Sequence, residues 1–285
     1  MGYSYATFKW LDSFTPLGAN VLDLGSQDLY VGSGAEFDEV NAFLARRNGA
    51  ALDPGGTYPC RLPASDVWRR AGCTYSCVDI DRREGTIEVD LQSLVFPRAL
   101  ERKFDLVMNA GTTEHLANPV GGLAFAHYAC RVGGIIAHDV PVFGFGNHGL
   151  VNPTPKFWAS VMECNGYEVL SAVARHCPDA QHDVSFYHSP KLDFIAGIEN
   201  ARDLSWMLRM AFRKSRATAF IPPMDWTGVD GKMGAALMRG SLRPFRGTWT
   251  RREISDAMYR ALRGRDRVPI GERLWRAISG SRTKT

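Results

Sequence analysis

The chain has 285 residues, with 34 Lys and Arg against 30 Asp and Glu, and 45% of its residues are hydrophobic. That length suits one large domain with an appendage, and no apolar run approaches the roughly 18 residues that a membrane span requires. The opening Met1-Gly-Tyr-Ser-Tyr-Ala lacks a basic segment followed by an apolar one, so no secretory signal is expected. The six cysteines (60, 73, 77, 130, 164 and 177) form no Cys-x-x-Cys pair and read as free thiols of a cytosolic protein.

Residues 1–20 read as an N-terminal helix or arm carrying Tyr3, Tyr5, Phe8, Trp10 and Phe14. Val21-Leu-Asp-Leu-Gly25 reads as a short buried strand that ends in an acid and a glycine. The glycine lets the backbone turn sharply and approach a ligand with no Cβ in the way. After Gly32-Ser-Gly34 a helix is predicted from near Ala35 to Arg47, with Phe37, Val40, Phe43 and Leu44 at helical spacing. Strand, glycine-bearing loop and helix together make the ligand-cradling corner of an open α/β sheet. Asp23 stands just before that turn, where an acid suits a cationic or hydroxyl-rich ligand better than a pyrophosphate.

Residues 48–72 read as an insertion, its first part broken by Pro and Gly. It is either a lid over the ligand corner or inert surface, with Ser65 or Asp66 placed to cap a short helix through Arg70. Strands are then predicted at 75–81, 87–91 and 104–109, a helix at 123–132, and a strand at 135–140 after the Gly133-Gly134 turn. A helix at 157–165 ends at Gly166, and a strand follows at 167–172, with 185–188 and 194–198 as further strand segments. This alternation indicates a doubly wound, mainly parallel sheet.

Beyond residue 200 the alternation stops. Residues 1–200 hold 15 Lys and Arg against 23 Asp and Glu, a net of −8, whereas 201–285 hold 19 against 7, a net of +12. The division drawn from this is an acidic catalytic body over 1–200 and a basic, mostly helical extension over 201–285. Leu204 to Arg216 reads as a basic amphipathic helix, with further helices near 251–263 and 271–279. Such an extension suits an anionic membrane surface or a phosphate-bearing acceptor, or is simply a solvated appendage. No recognisable nucleic-acid module is present, so nucleic acid is not the expected partner.

Four segments in order carry a family resemblance: Val21-Leu-Asp-Leu-Gly25, Tyr75-Ser-Cys-Val-Asp-Ile-Asp81, Phe104-Asp-Leu-Val-Met-Asn-Ala-Gly-Thr-Thr-Glu-His115 and Gly133-Gly-Ile-Ile-Ala-His138. Over roughly residues 15 to 190 the chain resembles the class I S-adenosylmethionine (SAM) dependent methyltransferases, in their small-molecule or glycan-type branch. The resemblance implies a Rossmann-like sheet whose last strands form an antiparallel hairpin, and SAM as cofactor. It implies that Asp79 takes both ribose hydroxyls, a task for an acceptor-only carboxylate, with Asp81 the alternative two residues on. It puts Asp90 at the adenine amino group, Asp23 near the methionyl amine, Gly25 and Ser26 along the ligand, and Asn109 beneath the methionine part. The chain departs from the pattern in the long 48–72 insertion and in Ser26-Gln27-Asp28, which replaces the glycine-rich remainder of the first motif.

Two histidines are candidate bases for an acceptor hydroxyl. His115 follows the fourth strand in a Glu-His pair, and His148 lies in Gly144-Phe-Gly-Asn-His-Gly149 after the fifth, on the side where the acceptor must approach. An imidazole with an unperturbed pKa near 6.5 suits proton removal at neutral pH. Phe143 and Phe145 would wall such a site, and Asn147 and Asn152 would read hydroxyls. No spacing of His138, His176, His182 or His188 suggests a metal site, so metal-independent transfer is expected. The expectation is therefore a cytosolic methyltransferase, with peripheral attachment to the inner membrane face open, acting on oxygen of a small or glycan-like acceptor. The competing readings are a catalytically silent binding module of the same fold and an NAD(P)-dependent oxidoreductase. Against the oxidoreductase, Gly25-Ser-Gln-Asp-Leu-Tyr-Val-Gly-Ser-Gly34 lacks the Gly-x-Gly-x-x-Gly run.

Overall fold

The computed structural model describes residues 2–53, 58–83, 85–93, 95–143, 145, 148–176 and 206–223. Strands β1 (Gly2–Ser4), β2 (Asn20–Leu24), β3 (Asp28–Val31), β4 (Cys60–Pro63), β5 (Thr74–Asp79), β6 (Thr86–Glu88), β7 (Phe104–Ala110), β8 (Cys130–Phe143), β9 (Glu168–His176) and β10 (Trp206–Arg213) form two sheets. The main sheet has the order β6-β5-β2-β7-β8-β10-β9. Its first five strands run parallel, and β10 lies antiparallel between β8 and β9. This is the doubly wound Rossmann-like sheet, with the antiparallel terminal pair, that the resemblance implies.

Helices α1 (Tyr5–Asp12), α2 (Gly34–Arg46) and α3 (Ala64–Arg70) cover one face. Phe8, Phe43 and Trp68 pack there against Val21, Leu106 and Met108. Helices α4 (Pro119–Ala129) and α5 (Pro155–Asn165) cover the other, around Leu22, Val107, Phe125, Trp158 and Phe212. The helix ends follow local chemistry: Ser33, Asn118 and Thr154 cap α2, α4 and α5 through side-chain oxygens, and left-handed Gly166 ends α5. Pro63, which offers no capping side chain, begins α3, so neither Ser65 nor Asp66 has the capping role expected of it.

Three expectations need correction. Residues 206–213 form strand β10, hydrogen-bonded on both sides, not a basic helix. Met, Leu, Ala and Arg are good helix formers, but Met210 and Phe212 on one side and Arg209 and Ala211 on the other are all buried, as a strand enclosed on both faces requires. The domain boundary at 200 therefore fails: the sheet continues to Arg213, and the next segment buries Lys214 and Phe220. The Lys214 ammonium donates to the carbonyls of His127 (2.5 Å) and Cys130 (2.9 Å), capping the carbonyl end of α4. Finally, the described part of the 48–72 insertion beyond residue 58 is part of the body: β4 joins β1 and β3 in a small sheet of order β1-β3-β4, and Trp68 of α3 is fully buried. The strand segments at 185–188 and 194–198 and the helices near 251–263 and 271–279 lie outside the described residues. Among the described residues no helix is long and apolar enough to cross a membrane.

A buried ion pair fixes the N-terminal helix to this sheet. Arg209 of β10 donates to Asp139 Oδ2 of β8 from Nε (3.1 Å) and Nη2 (2.8 Å), and to the carbonyl of Ala6 (3.2 Å). Thr7 Oγ1 donates to the same carboxylate oxygen (3.0 Å). Removing one partner of such a pair strands the other, so Arg209→Met is expected to destabilise the protein by roughly 3 kcal/mol, read as a lowered urea midpoint.

Candidate active site

The carboxyl ends of β5, β2, β7 and β8 meet along one edge of the sheet, and the candidate residues other than Asp23 gather there. At the end of β2 the chain turns at Gly25 with φ +88°, and its N–H donates to Val78 O at 2.8 Å. A Cβ at this position would stand 2.6 Å from Thr112 Oγ1 and 2.7 Å from Gln27 Nε2. These two side chains are themselves joined: Gln27 Nε2 donates to Thr112 Oγ1 (2.9 Å), and the Thr112 hydroxyl donates to Leu24 O (2.6 Å). A polar bar thus crosses from the end of β2 to the end of β7, directly over the glycine.

Asp23 faces the other way. It is wholly buried among the residues under α1 and α3, its Oδ1 accepting from the Tyr3 hydroxyl and its Oδ2 from the Tyr75 hydroxyl at 2.8 Å. Burial raises its pKa to about 7 despite those two donors, and burial beside Asp23 raises both phenols, which stay protonated. The carboxylate therefore serves a phenol clamp joining β1, β2 and β5.

Half-buried Asp79 ends β5 with its carboxylate held in place. Oδ2 accepts from Ser26 N (2.8 Å), and Oδ1 from Ile80 N (2.6 Å) and Asp81 N (3.2 Å). Asp81 takes the Ser26 hydroxyl (3.0 Å) and pairs with Arg83 Nε at 3.1 Å, so both candidate acids converge on Ser26. A cavity of about 230 Å³ opens beside them, lined by Ser26, Asp28, Asp66, Arg69, Arg83 and Thr86. Exposed Asp90 lies past the end of β6, its Oδ1 accepting from Gln92 N at 2.9 Å. Gln92 in turn ties that loop to the loop after β7 through Ala117 N (3.0 Å) and Asn118 Nδ2 (3.2 Å). Ile80, beside Asp79 and 66% exposed, is a site feature that the residue pattern did not single out.

Asn109 is buried and organises the turn behind β7. Its Oδ1 accepts from the amides of Thr112 and Thr113 (both 3.1 Å), and its Nδ2 donates to Thr113 Oγ1 (2.8 Å). His138 Nδ1, 3.1 Å away, is the other acceptor for that amide; burial drops this imidazole to a pKa of about 3 and keeps it neutral. The turn carries the chain into a single 3-10 turn, Thr113–His115, with Glu114 turned inward and His115 exposed.

The structure brings His115 and His148 together, 33 residues apart in sequence, with ring centroids 5.1 Å apart. Their partner is Glu114, which is 0% exposed. Its carboxylate lies 4.0 Å from His148 Nε2, and among the described residues neither oxygen has a hydrogen-bond partner. Burial pushes this carboxyl up to a pKa of about 8. The arrangement depends on backbone docking. Glu114 O accepts from Leu150 N (2.7 Å) and Val151 N (3.0 Å), while Gly149, at φ +80°, passes so close that a Cβ would lie 2.8 Å from that carbonyl. Phe145 walls His148 at 5.8 Å between rings, and Asn152 Nδ2 donates to Phe145 O (3.1 Å). Gly144, Gly146, Asn147, His182 and His188 lie outside the described residues.

No family model matches the chain, and no curated protein does. Solved structures resemble it in fold. A SAM-dependent methyltransferase from Mesorhizobium loti is 13% identical, over 72% of this chain and 96% of that one, with a TM-score of 0.39. A geranyl diphosphate C-methyltransferase from Streptomyces coelicolor A3(2) is 11% identical, over 73% and 80%, with a TM-score of 0.42. The cyclase SpnF is 13% identical, over 74% and 81%, with a TM-score of 0.44. Likeness at these identities is one of fold alone.

Two measurements test this geometry. Asp23 keeps its proton in the folded chain up to about pH 7, whereas its ordinary pKa is 3.8. Between those values the native state holds a proton that the unfolded chain has lost, so stability falls as pH rises through the window and levels off above it. Urea denaturation from pH 4 to 8 should show this loss, on the order of 4 kcal/mol, and Asp23→Asn should flatten it. Gly149→Ala would force a left-handed alanine against the Glu114 carbonyl. It should cost about 1–3 kcal/mol and shift the His148 imidazole resonances in NMR spectra.

Proposed function

We propose that this protein is a SAM-dependent methyltransferase acting on oxygen of a small-molecule or glycan-like acceptor. The observation that carries the reading is the oriented carboxylate of Asp79 beside the Gly25 turn, on the same sheet edge as the His115–His148 pair. Three backbone N–H groups hold Asp79 as an acceptor without using every lone pair, which suits it to receive ribose hydroxyls. Exposed Ile80 offers an apolar surface for a flat base, and Asp90, with its carboxylate held by Gln92 N, suits an exocyclic amine. Gly25 and Ser26 contribute backbone at close range. Asn109 acts through the turn it holds, and Asp23 through the phenol clamp beneath.

The cofactor would supply an electrophilic methyl group on sulfonium, with a neutral leaving group. This chain's own residues would hold the acceptor in line with it, which is the larger part of what such a reaction needs. His115 and His148 are the groups able to orient an acceptor hydroxyl and handle its proton, with Phe145 as the apolar wall. The silent-module reading has one observation in its favour, the Gln27–Thr112 bar standing over Gly25. A ligand reaching across the turn has to displace it.

Calorimetric titration with S-adenosylhomocysteine, with NAD as comparator, tests the proposal. Binding of the former alone is expected, with Asp79→Ala weakening it at least about tenfold, since a charged hydrogen-bonding partner is worth roughly 1.5–3 kcal/mol. Binding of NAD instead, or of neither by folded protein, would overturn it.

A further inference from the structure

Of the buried carboxylates on this edge, Glu114 stands apart. Asp23 receives two phenols and Asp139 a guanidinium, but Glu114 is fully buried with both oxygens unpartnered among the described residues. A carboxylate out of water and without donors is costly, and His148 Nε2 at 4.0 Å is too distant for a hydrogen bond. A ligand atom of Glu114, one of His115 and one of His148 nevertheless lie within 4.8 Å of one another. They sit on two loops that the Leu150 and Val151 amides staple together at the Glu114 carbonyl.

We propose that Glu114, His115 and His148 bind one first-row divalent cation, of the zinc or cobalt type. One carboxylate and two imidazoles form a donor set these ions favour over magnesium and calcium, which prefer oxygen alone. Three protein ligands leave coordination positions open, the pattern of a reactive rather than a structural site. Metal–nitrogen bonds of about 2.0–2.1 Å in a tetrahedral site put ligand atoms roughly 3.3 Å apart. The three groups must therefore close by about 1.5 Å or less. The movement falls to exposed His115 and half-buried His148, since Glu114 is wholly buried. The ion would bind directly to the carboxylate oxygens of Glu114, which have no hydrogen-bond partner among the described residues. Sequence spacing conceals the site, because the ligands come from adjacent positions 114 and 115 and from a loop 33 residues later.

The binding site itself needs nothing from the methyltransferase reading, but its use in catalysis rests on that reading. An ion here would lower the pKa of an acceptor hydroxyl bound to it so that its proton passes to solvent water, and the imidazoles would act by holding the ion instead of taking that proton themselves.

The full-length protein, stripped with chelator and dialysed, would be titrated with cobalt(II) chloride and with zinc chloride. Expected are a single equivalent of zinc by calorimetry and a visible ligand-field spectrum with cobalt. Glu114→Gln and His148→Gln, each checked for fold by circular dichroism, should each weaken binding more than about tenfold. The His148 side chain is 12% exposed where Glu114 is wholly buried, so His148→Gln keeps the test valid if the Glu114 variant is unstable. No binding by folded protein, or binding unaffected by either variant, overturns the proposal; the latter outcome would point to the cysteines. If S-adenosylhomocysteine binds in an Asp79-dependent way while no metal does, the methyltransferase reading stands and the metal site falls. Metal bound without S-adenosylhomocysteine gives the reverse.

Discussion

Burying a carboxylate is the constraint around which this molecule is arranged. Three acids lie beneath the carboxyl edge of the sheet, and each must find donors or hold a proton or a cation. Asp23 draws tyrosines from β1 and β5 and so fastens the N-terminal strand to the centre of the sheet. Asp139 draws Arg209 from β10 and Thr7 from α1. A strand far along the chain thereby locks the N-terminal helix in place. Apolar packing alone would not specify these registers, since a strand slid by two residues still presents an apolar face. The buried acids distinguish one register from the next.

Strand periodicity explains why the most conspicuous acid in the sequence does not point out of the carboxyl edge of the sheet. Successive residues of β2 point to opposite faces. Asp23 shares its face with Val21, and that face is covered by α1 and α3. What the end of β2 offers at the turn is backbone, at Gly25 and Ser26, while the oriented carboxylate comes from β5. The short parallel strand of Tyr3 supplies the phenol that makes Asp23 tolerable there.

The central α/β alternation was legible because its signals are local: apolar runs of strand length, glycine turns, and Phe37, Val40, Phe43 and Leu44 at helical spacing. The terminal strand β10 was not. Its Met, Leu, Ala and Arg residues suit a helix, and only pairing with β8 and β9 from distant sequence overrides that preference. The small sheet of β1, β3 and β4 was illegible for the same reason, since each strand has four residues or fewer and gains its identity from its neighbours. At the site, His115 and His148 were legible as residue types beside strand ends. That the side chain between them is an unpartnered buried Glu114 was not, because burial depends on where Gly149 lets the second loop dock.

The edge divides into two chemically different halves. Around β5 it is acidic and open, with Asp79, Asp81 and Asp90 held by backbone amides, which suits hydroxyl and amine donors. Beyond β7 it is imidazole-rich and partly apolar, with His115, His148 and Phe145. Gln27 and Thr112 lie between the halves, and a ligand spanning both must replace their hydrogen bonds. Each such exchange costs only about 1 kcal/mol net when the ligand supplies new partners. The bar satisfies Leu24 O, a carbonyl that an apolar group in its place would leave unpaired. Any group that takes the place of the bar must bring a donor for that carbonyl.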